Sequence, residues 1–292
     1  MTIRLPIALA AGLAAGTTGC DIRVNDKGVS VDVSEGGRAE DEWSRTYSLA
    51  EGSRLEIRSA GGPIYVTHAD GNTVQVRITR EAHEASDEAA QRALKDETIT
   101  EEVSPDHVVV QTIRTRKDNS GPFGARRIST EIRVSIPSGL NAVFRGENAD
   151  VSLENVHGQF TLENTNGGFR GRGLSGSIMA TTVNGVIDFD LDQVAGDIIA
   201  STVNGPLRIG LPDNMNATLE ARTVNGIVNV DPDLQLMTVE RERSRVSGRF
   251  GKGGPAIKLN TTNGPLSVAA AGSHGRGRRG GDPVVVERRQ GR

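Results

Sequence analysis

The segments 178–189, IMATTVNGVIDF, and 198–209, IIASTVNGPLRI, are two copies of one pattern. Each copy has apolar residues at alternate positions, then an Asn-Gly pair, then a second alternating apolar stretch. Alternate residues of a strand lie on the same face of a sheet, so each copy predicts two short strands with one buried stripe apiece. Glycine tolerates the positive φ angles of a tight corner. The unit of the fold is therefore predicted to be strand, corner, strand.

The same pattern recurs along most of the chain. When the Asn of the Asn-Gly pair is taken as position zero, Thr or Asn stands at position −2 in the five clearest copies, and apolar residues stand at −6, −4 and +3. Two weaker copies precede them, and the zero positions of all the copies are Gly61, Asn148, Asn166, Asn184, Asn204, Asn225 and Asn263. Repeats of ~20 residues are typical of solenoids, whose units bury their apolar stripes by stacking on one another.

Two architectures fit this repeat. A meander of hairpins would use Asn-Gly as a type I′ turn, whereas a β-solenoid would stack each copy in register on the last. The constant register favours the solenoid, because stacked Asn side chains can hydrogen-bond to one another. We predict an all-β fold, a single-stranded β-solenoid (β-helix) of ~20-residue Asn-Gly repeats with a decorated N-terminal cap containing one helix. We expect a structural Asn ladder on its inward face, formed by Asn148, Asn166, Asn184, Asn204, Asn225 and Asn263.

The repeat pattern also predicts the domain boundaries. The β-solenoid domain is predicted over 43–268, with a cap region over 43–137 and regular repeats over 138–268. A helix is predicted over 86–96, because Ser86 suits the N-cap and Asp87 and Glu88 suit the first turn. The charged insertion 232–254 separates the last two copies and predicts a hairpin or loop that projects from the stack. Residues 269–292 contain six Arg against Asp282 and Glu287 and predict a disordered basic tail.

The start of the chain has the layout of an export signal. Arg4 precedes an apolar stretch and several small residues, and the single cysteine of the chain, Cys20, follows them. This arrangement resembles the lipobox of bacterial lipoproteins, which implies a signal peptide over 1–19 and a membrane anchor through acylated Cys20. An ordinary signal peptide is the alternative. Residues 20–42 are predicted to form a tether.

The recurring Thr-Val-Asn-Gly strands behind a lipobox resemble the bacterial "putative adhesin" β-helix family of unknown function. This family includes LiaG-like envelope proteins and is akin to head GIN domains. The resemblance covers residues 43–268. It implies an exported protein of the cell envelope, on the periplasmic face of a membrane or on the cell surface, and it carries over no catalytic residues.

Composition excludes several classes of protein and site. The chain has 36 Gly without a collagen period, and its one Cys excludes a disulfide framework and a Cys-based zinc site. The five His form no ligand pair in the sequence. Two Gly-x-Gly-x-x-Gly segments open no helix after a strand, so we expect no cofactor. The basic tail lacks aromatic residues for base stacking, so we expect no nucleic acid partner.

One acidic stretch is a candidate site. Asp188, Asp190 and Asp192 alternate along a predicted strand and so share one face, where carboxylates are weak candidates for a hard cation such as Ca²⁺. A solvated acidic face is the favoured interpretation, and we expect no metal. With Arg208 or Arg222, the same carboxylates would form the site of a polysaccharide-active enzyme.

These observations favour a non-enzymatic envelope lipoprotein that acts as a scaffold or adhesin-like interaction module. Its expected partners are the membrane, through acylated Cys20, and an envelope protein or cell-wall polymer. One alternative is a polysaccharide-active β-helix enzyme. The other is a passive spacer for the basic tail.

Overall fold

The computed structural model describes residues 36–115 and 128–272, together with the backbone of residues 20–25 and 28–33. The described part is all-β with one helix, as predicted. The predicted signal peptide, and the tail beyond residue 272, lie outside it. The strands of the first half are β1 (Cys20–Asn25), β2 (Gly28–Val33), β3 (Gly37–Ser48), β4 (Arg54–Ser59), β5 (Ile64–His68), β6 (Thr73–Glu84), β7 (Glu97–Val103), β8 (His107–Arg114) and β9 (Ile128–Ile136), with helix α1 (Asp87–Leu94) between β6 and β7.

The strands of the second half follow with one short 3₁₀ turn, Pro232–Leu234, among them. They are β10 (Leu140–Asn148), β11 (Val151–Glu154), β12 (His157–Asn166), β13 (Phe169–Asn184), β14 (Ile187–Gln193), β15 (Ile198–Asn204), β16 (Leu207–Leu211), β17 (Ala217–Asn225), β18 (Val228–Val230), β19 (Met237–Arg241), β20 (Arg245–Phe250), β21 (Ala256–Asn263) and β22 (Leu266–Ala270). β1 and β2 pair with each other, and β3 to β22 form one curled sheet. In the described part of the chain, no helix is long and apolar enough to cross a membrane.

The sheet is a stack of two-strand units, which we call rungs. Each rung has a first strand and a second strand, and both pair in parallel with the corresponding strands of the neighbouring rungs. In stacking order the rungs are rung 1 (β8, β9), rung 2 (β4, β5), rung 3 (β10, β11), rung 4 (β12 and the start of β13), rung 5 (the rest of β13, β14), rung 6 (β15, β16), rung 7 (β21, β22) and rung 8 (β17, β18). The hairpin meander is thereby excluded, since meander neighbours would be antiparallel.

Stacking order differs from chain order at both ends. Rung 1 contains no Asn-Gly pair, so the repeat pattern does not reveal it. The last repeat in the chain, which contains Asn263, lies between the repeats of Asn204 and Asn225. The register is the same on both sides of the repeat that contains Asn263, so this repeat matches either neighbour.

Antiparallel strands close the two ends of the stack. At rung 1, β7 pairs with β8, and β6 pairs with β9 and with β3. At rung 8, β20 pairs with β17 and β19 pairs with β20. The insertion 232–254 thus contains a hairpin, but this hairpin lies against the end of the stack rather than projecting from it. The predicted tether also differs from the structure, because its last residues belong to β3, which pairs with β6 from Gly37 onward.

Helix α1 covers one side of the cap. The side chain of Ser86 accepts a hydrogen bond from the backbone N–H of Ala89, as its predicted N-cap role requires. The buried face of the helix includes Ala93 and Leu94, which belong to a small apolar cluster with Ala82 of β6. A second, larger core fills the interior of the stack, where large side chains lie beside small ones, as Phe160 does beside Ala142.

The corners explain why glycine follows the asparagine. The backbone N–H of Gly185 donates to the carbonyl of Asn204 in the next rung, so the ladder of hydrogen bonds continues around the bend. A Cβ atom on Gly185 would overlap the carbonyl oxygen of Gly167, and one on Gly205 would overlap that of Gly185. Adjacent corners approach so closely that only glycine fits. Proline is tolerated at position 206, the residue after Gly205. Its carbonyl accepts a hydrogen bond from the N–H of Ile187, and no N–H is needed from this position.

We therefore expect Gly185→Ala to lower the free energy of unfolding by about 2–3 kcal/mol, because the added methyl group forces adjacent corners apart. Gly61→Ala is the matched control: it lies at a corner of rung 2, and its Cβ would be 3.7 Å from the nearest backbone oxygen, an ordinary contact. Urea denaturation of both variants measures the difference. Equal stability of the two variants would contradict the close-approach explanation.

Candidate functional site

The asparagines at position zero form a continuous ladder of side-chain hydrogen bonds along one edge of the stack. Each Nδ2 donates to the Oδ1 of the Asn one rung nearer the N-terminal cap, over 2.8–3.1 Å. The order is Asn148, Asn166, Asn184, Asn204, Asn263 and Asn225, which follows the stack and not the chain. All these bonds point the same way, so neighbouring amides polarise one another.

The asparagines face solvent, and the expectation that they lie on the inward face is wrong. Position −2 is the last inward position: Thr182 is 1% exposed, whereas Val183 and Asn184 after it are both exposed. The chain bends between Thr182 and Gly185, and the bend leaves the asparagine on its outer side. The alternation of a straight strand therefore does not extend to position zero.

The inward threonines hold the corners together from inside. The hydroxyl of Thr182 donates to the carbonyl oxygen of Gly167 over 3.0 Å, and that of Thr202 donates to Gly185 over 3.2 Å. Thr261 and Thr223 repeat the contact in rungs 7 and 8. Each corner carbonyl that faces the interior thus has a partner, which removes the cost of burying it. The Thr-x-Asn-Gly motif has a separate structural role for each of its three defined residues.

Exposed apolar side chains flank the Asn ladder. Val183, Val203 and Val224 at position −1 are 40%, 42% and 61% exposed, and Ile227 at position +2 is 40% exposed. We call this surface the corner edge. It comprises the ladder, the row Val183, Val203, Thr262 and Val224 on one side, and the row Val186, Pro206, Pro265 and Ile227 on the other.

The corner edge is stiff and regular. Its rows have the strand spacing of about 4.8 Å, and its side chains are mostly β-branched residues or prolines with few rotamers. Each ladder amide keeps a second N–H and a second lone pair for an outside partner. At rung 8 the edge ends in a shallow depression lined by residues that include Ile227, Asn229, Arg243 and Pro265. Such a surface is suited to contact a partner without ordering itself first.

The acidic candidates have a structural environment. Arg172 lies against two of them, with its Nη2 3.0 Å from Oδ2 of Asp188 and its Nε 3.4 Å from Oδ2 of Asp190. Asp190 is buried, whereas Asp192 is exposed. Arg208 is the register neighbour of Asp188 on β16. Arg222 lies on β17, opposite Arg245. The guanidinium of Arg172 thus supplies positive charge to both Asp188 and Asp190.

Metal ligands do not converge in the described residues: no three His, Cys, Asp or Glu side chains form a possible ligand set there. The structure does bring two histidines together, since the ring centroids of His68 and His157 are 6.3 Å apart. His274 lies outside the described residues. The side chain of Cys20, the predicted acylation site, also lies outside them.

Sequence reasoning missed a buried carboxylate on the outer face of the stack. Glu56, whose side chain is 3% exposed, contacts Arg54 and Arg58 of its own strand and Arg145 of rung 3. Burial alone would raise the pKa of Glu56, but hydrogen bonds and charges from Arg58 and Arg145 outweigh it and hold that pKa below its ordinary value. The sequence signal was the spacing Arg-x-Glu-x-Arg, which puts the three side chains on one face of a strand.

The ladder predicts a graded response to substitution. Asn204→Ala removes one donated and one accepted hydrogen bond from the middle of the ladder, whereas Asn225→Ala removes only the donated bond at its end. We expect Asn204→Ala to lower the free energy of unfolding by about 1–2 kcal/mol and Asn225→Ala by about half as much. Urea titrations of both variants test this difference. An effect at Asn204 equal to or smaller than that at Asn225 would contradict a stability contribution from each ladder bond.

Comparison with known proteins places this architecture in a family. A search of curated proteins gives no match. Among solved structures, the chain is similar to a putative cell adhesion protein from Clostridium sporogenes, at 14% identity and a TM-score of 0.49 over 80% of this chain and 100% of the other. It is also similar to a putative adhesin from Bacteroides fragilis, at 14% identity and a TM-score of 0.40 over 79% and 97% of the two chains. The family model described as Toastrack DUF4097 matches residues 54–269, which include strands of all eight rungs, and the chain therefore belongs to the Toastrack DUF4097 family.

Proposed function

We propose that this protein is a non-enzymatic, adhesin-like interaction module of the cell envelope, and that the corner edge is its contact surface. The observation that carries the proposal is the line of exposed apolar side chains beside the Asn ladder. Contiguous apolar surface on a folded protein is typical of an interaction site. In this view the ~20-residue Asn-Gly unit serves to lengthen one such surface, since every added rung extends it by one strand spacing.

The chemistry of the corner edge supports a binding role. Val203 and Val224 offer apolar contact, and the ladder between the two flanking rows offers amide N–H and carbonyl groups at regular intervals. The ladder is already ordered by its own hydrogen bonds, so a partner would bind to a surface that loses little conformational entropy. An envelope protein or a cell-wall polymer is the partner we propose.

Two observations support a non-enzymatic role. Two of the neighbouring structures are named as a putative cell adhesion protein and a putative adhesin. In this chain, Arg172 pairs with Asp188 and Asp190, the carboxylates that a glycan-active site would need. An ion pair with arginine engages the carboxylate oxygens that a general acid or base would have to direct at its substrate. We therefore assign these aspartates to the structure of rung 5 and not to catalysis.

We also propose that the protein is exported and anchored through acylated Cys20. The support is the sequence layout of residues 1–20, in which the only cysteine follows an apolar stretch and small residues. Several acyl chains on one residue would anchor it stably. The hairpin of β1 and β2 would then link the anchor to the stack.

Photo-crosslinking tests the contact surface. A photoreactive residue at Val203, on the corner edge, is expected to give a discrete adduct in intact envelopes. The same residue at Arg208, an exposed position on the second strand of the same rung, is the control and is expected to give none. Val224→Lys, which puts a charge on the edge two rungs away, should weaken the adduct several-fold. Equal adducts at both positions, or none at Val203, would refute the assignment of the surface.

Replacement of the cysteine tests the anchor separately. Cys20→Ser should abolish labelling by a fatty-acid probe and move the protein from the membrane fraction to the soluble exported fraction, because no acyl acceptor remains. Ser30→Cys in the Cys20→Ser background controls for the mere presence of a thiol. Membrane fractionation that is unchanged by Cys20→Ser, with no acyl label on the parent protein, would overturn the lipoprotein proposal.

A further inference from the structure

The last repeat of the chain fills a gap between two earlier ones. Rungs 3 to 6 follow chain order, but the chain then builds rung 8 and returns with β21 and β22 to form rung 7. β21 pairs in parallel with β15 on one side and with β17 on the other, and β22 does the same with β16 and β18. Without rung 7, two parallel edges would face each other across a gap one rung wide.

The gap and its occupant recognise each other through groups that any copy of this chain carries. Ile257 lies between Ile198 and Leu219, and all three are buried. In the ladder, Asn263 donates to Asn204 over 2.8 Å and accepts from Asn225 over 2.8 Å. Residues 256–270 of a second molecule would make the same contacts in the same register.

A glycine-rich segment connects rung 7 to the rest of the chain. β20 and β21 lie on opposite sides of β17, so the segment between them, Gly-Lys-Gly-Gly-Pro over 251–255, must cross the start of β17. Gly251, Gly253 and Gly254 have φ angles of 54°, 79° and 157°. Glycines adopt such conformations and their alternatives at little cost, so this segment has the properties of a hinge.

We propose that rung 7 is exchangeable: residues 256–270 of one molecule insert between rungs 6 and 8 of a second copy, and the reverse insertion completes a strand-exchanged dimer. This inference goes beyond the proposed contact surface and does not depend on it. An exchanged dimer keeps every contact between rungs and changes only the hinge, which is why such exchange is a low-cost route to dimers. Exchange is also a characteristic behaviour of repeat proteins.

The barrier to exchange is the removal of rung 7 from the stack. Ile257, Leu259 and Leu266 are completely buried, so both strands must leave together and expose a core. Exchange is therefore expected to be slow under native conditions and faster near the midpoint of unfolding. The yield of dimer should rise with protein concentration, because two molecules take part. For an envelope protein, the result would be two copies joined through main-chain pairing as well as side chains.

Complementary cysteines detect the exchange. In the Cys20→Ser background, Ser201→Cys and Asn260→Cys are made in separate molecules; these two residues are register partners on β15 and β21 and neither is buried. Strand neighbours at about 4.8 Å are within the range for a disulfide. The two variants are mixed at high concentration, held near the unfolding midpoint, returned to native buffer and oxidised. A disulfide-linked heterodimer is expected, and its absence would overturn the proposal.

A second cysteine pair controls for random association. Thr181→Cys and Ser201→Cys are register partners on β13 and β15, in rungs that follow each other along the chain. This pair is expected to stay uncrosslinked between molecules. A heterodimer of equal yield from the control pair would overturn the proposal, because it would show general unfolding and reassociation. Loss of corner-edge adducts has no bearing on either result, so the two proposals fail independently.

Hinge length gives a test that uses no cysteine. Deletion of residues 252–254 leaves a connection of about 10 Å at most, barely the two strand spacings that it must cross within one molecule. The dimer fraction measured by light scattering is expected to rise about tenfold, and three added Gly-Ser residues in the hinge are expected to lower it. If the shortened variant does not fold, the dimer fraction of the lengthened variant tests the proposal by itself. A dimer fraction that is independent of hinge length would overturn the proposal.

Discussion

The hydrogen bond from a buried threonine to the corner carbonyl of the preceding rung is the interaction on which the rest of the structure depends. Thr182, Thr202, Thr223 and Thr261 all make it, at 3.0–3.2 Å. The bond holds adjacent corners so close together that the residue three positions after the threonine has no room for a side chain. This residue is therefore glycine. The same hydrogen bond fixes the register of neighbouring rungs. The asparagine that lies between the threonine and the glycine is therefore aligned with the asparagine of the neighbouring rung.

A fixed register makes the repeats interchangeable, and the topology of the stack shows the consequence. The repeat of Asn263 occupies a position between those of Asn204 and Asn225, although it comes last in the chain. Nothing in the ladder distinguishes one neighbour from another, because each contact is made by the same residue types at the same positions. The ends of the stack are distinguished by other means: antiparallel strands cover β17 at one end and β8 and β9 at the other.

The same regularity produces the surface to which we assign the function. The bend at each corner moves the asparagine and the residue before it to the outside, where the valines of successive rungs line up with the amide ladder. Two clusters of ionisable groups, by contrast, form ion pairs within the stack. Arg172 neutralises Asp188 and Asp190, and three arginines surround Glu56 across neighbouring rungs. The chain thus offers an ordered contact surface along one edge of the stack.

The sequence by itself determined the class of fold, the repeat unit and the position of the helix, because these follow from local periodicity and capping. Alternation of apolar residues marked the strands, and Ser86 with the acidic first turn marked α1. Tertiary structure alone decided the order of the rungs, the existence of rung 1 and the outward position of the asparagines. The repeats have the same residue types at their contact positions. Their sequences therefore do not indicate which repeat will lie beside which. A strand period also cannot show where a corner ends the alternation, because that depends on the close approach of another rung.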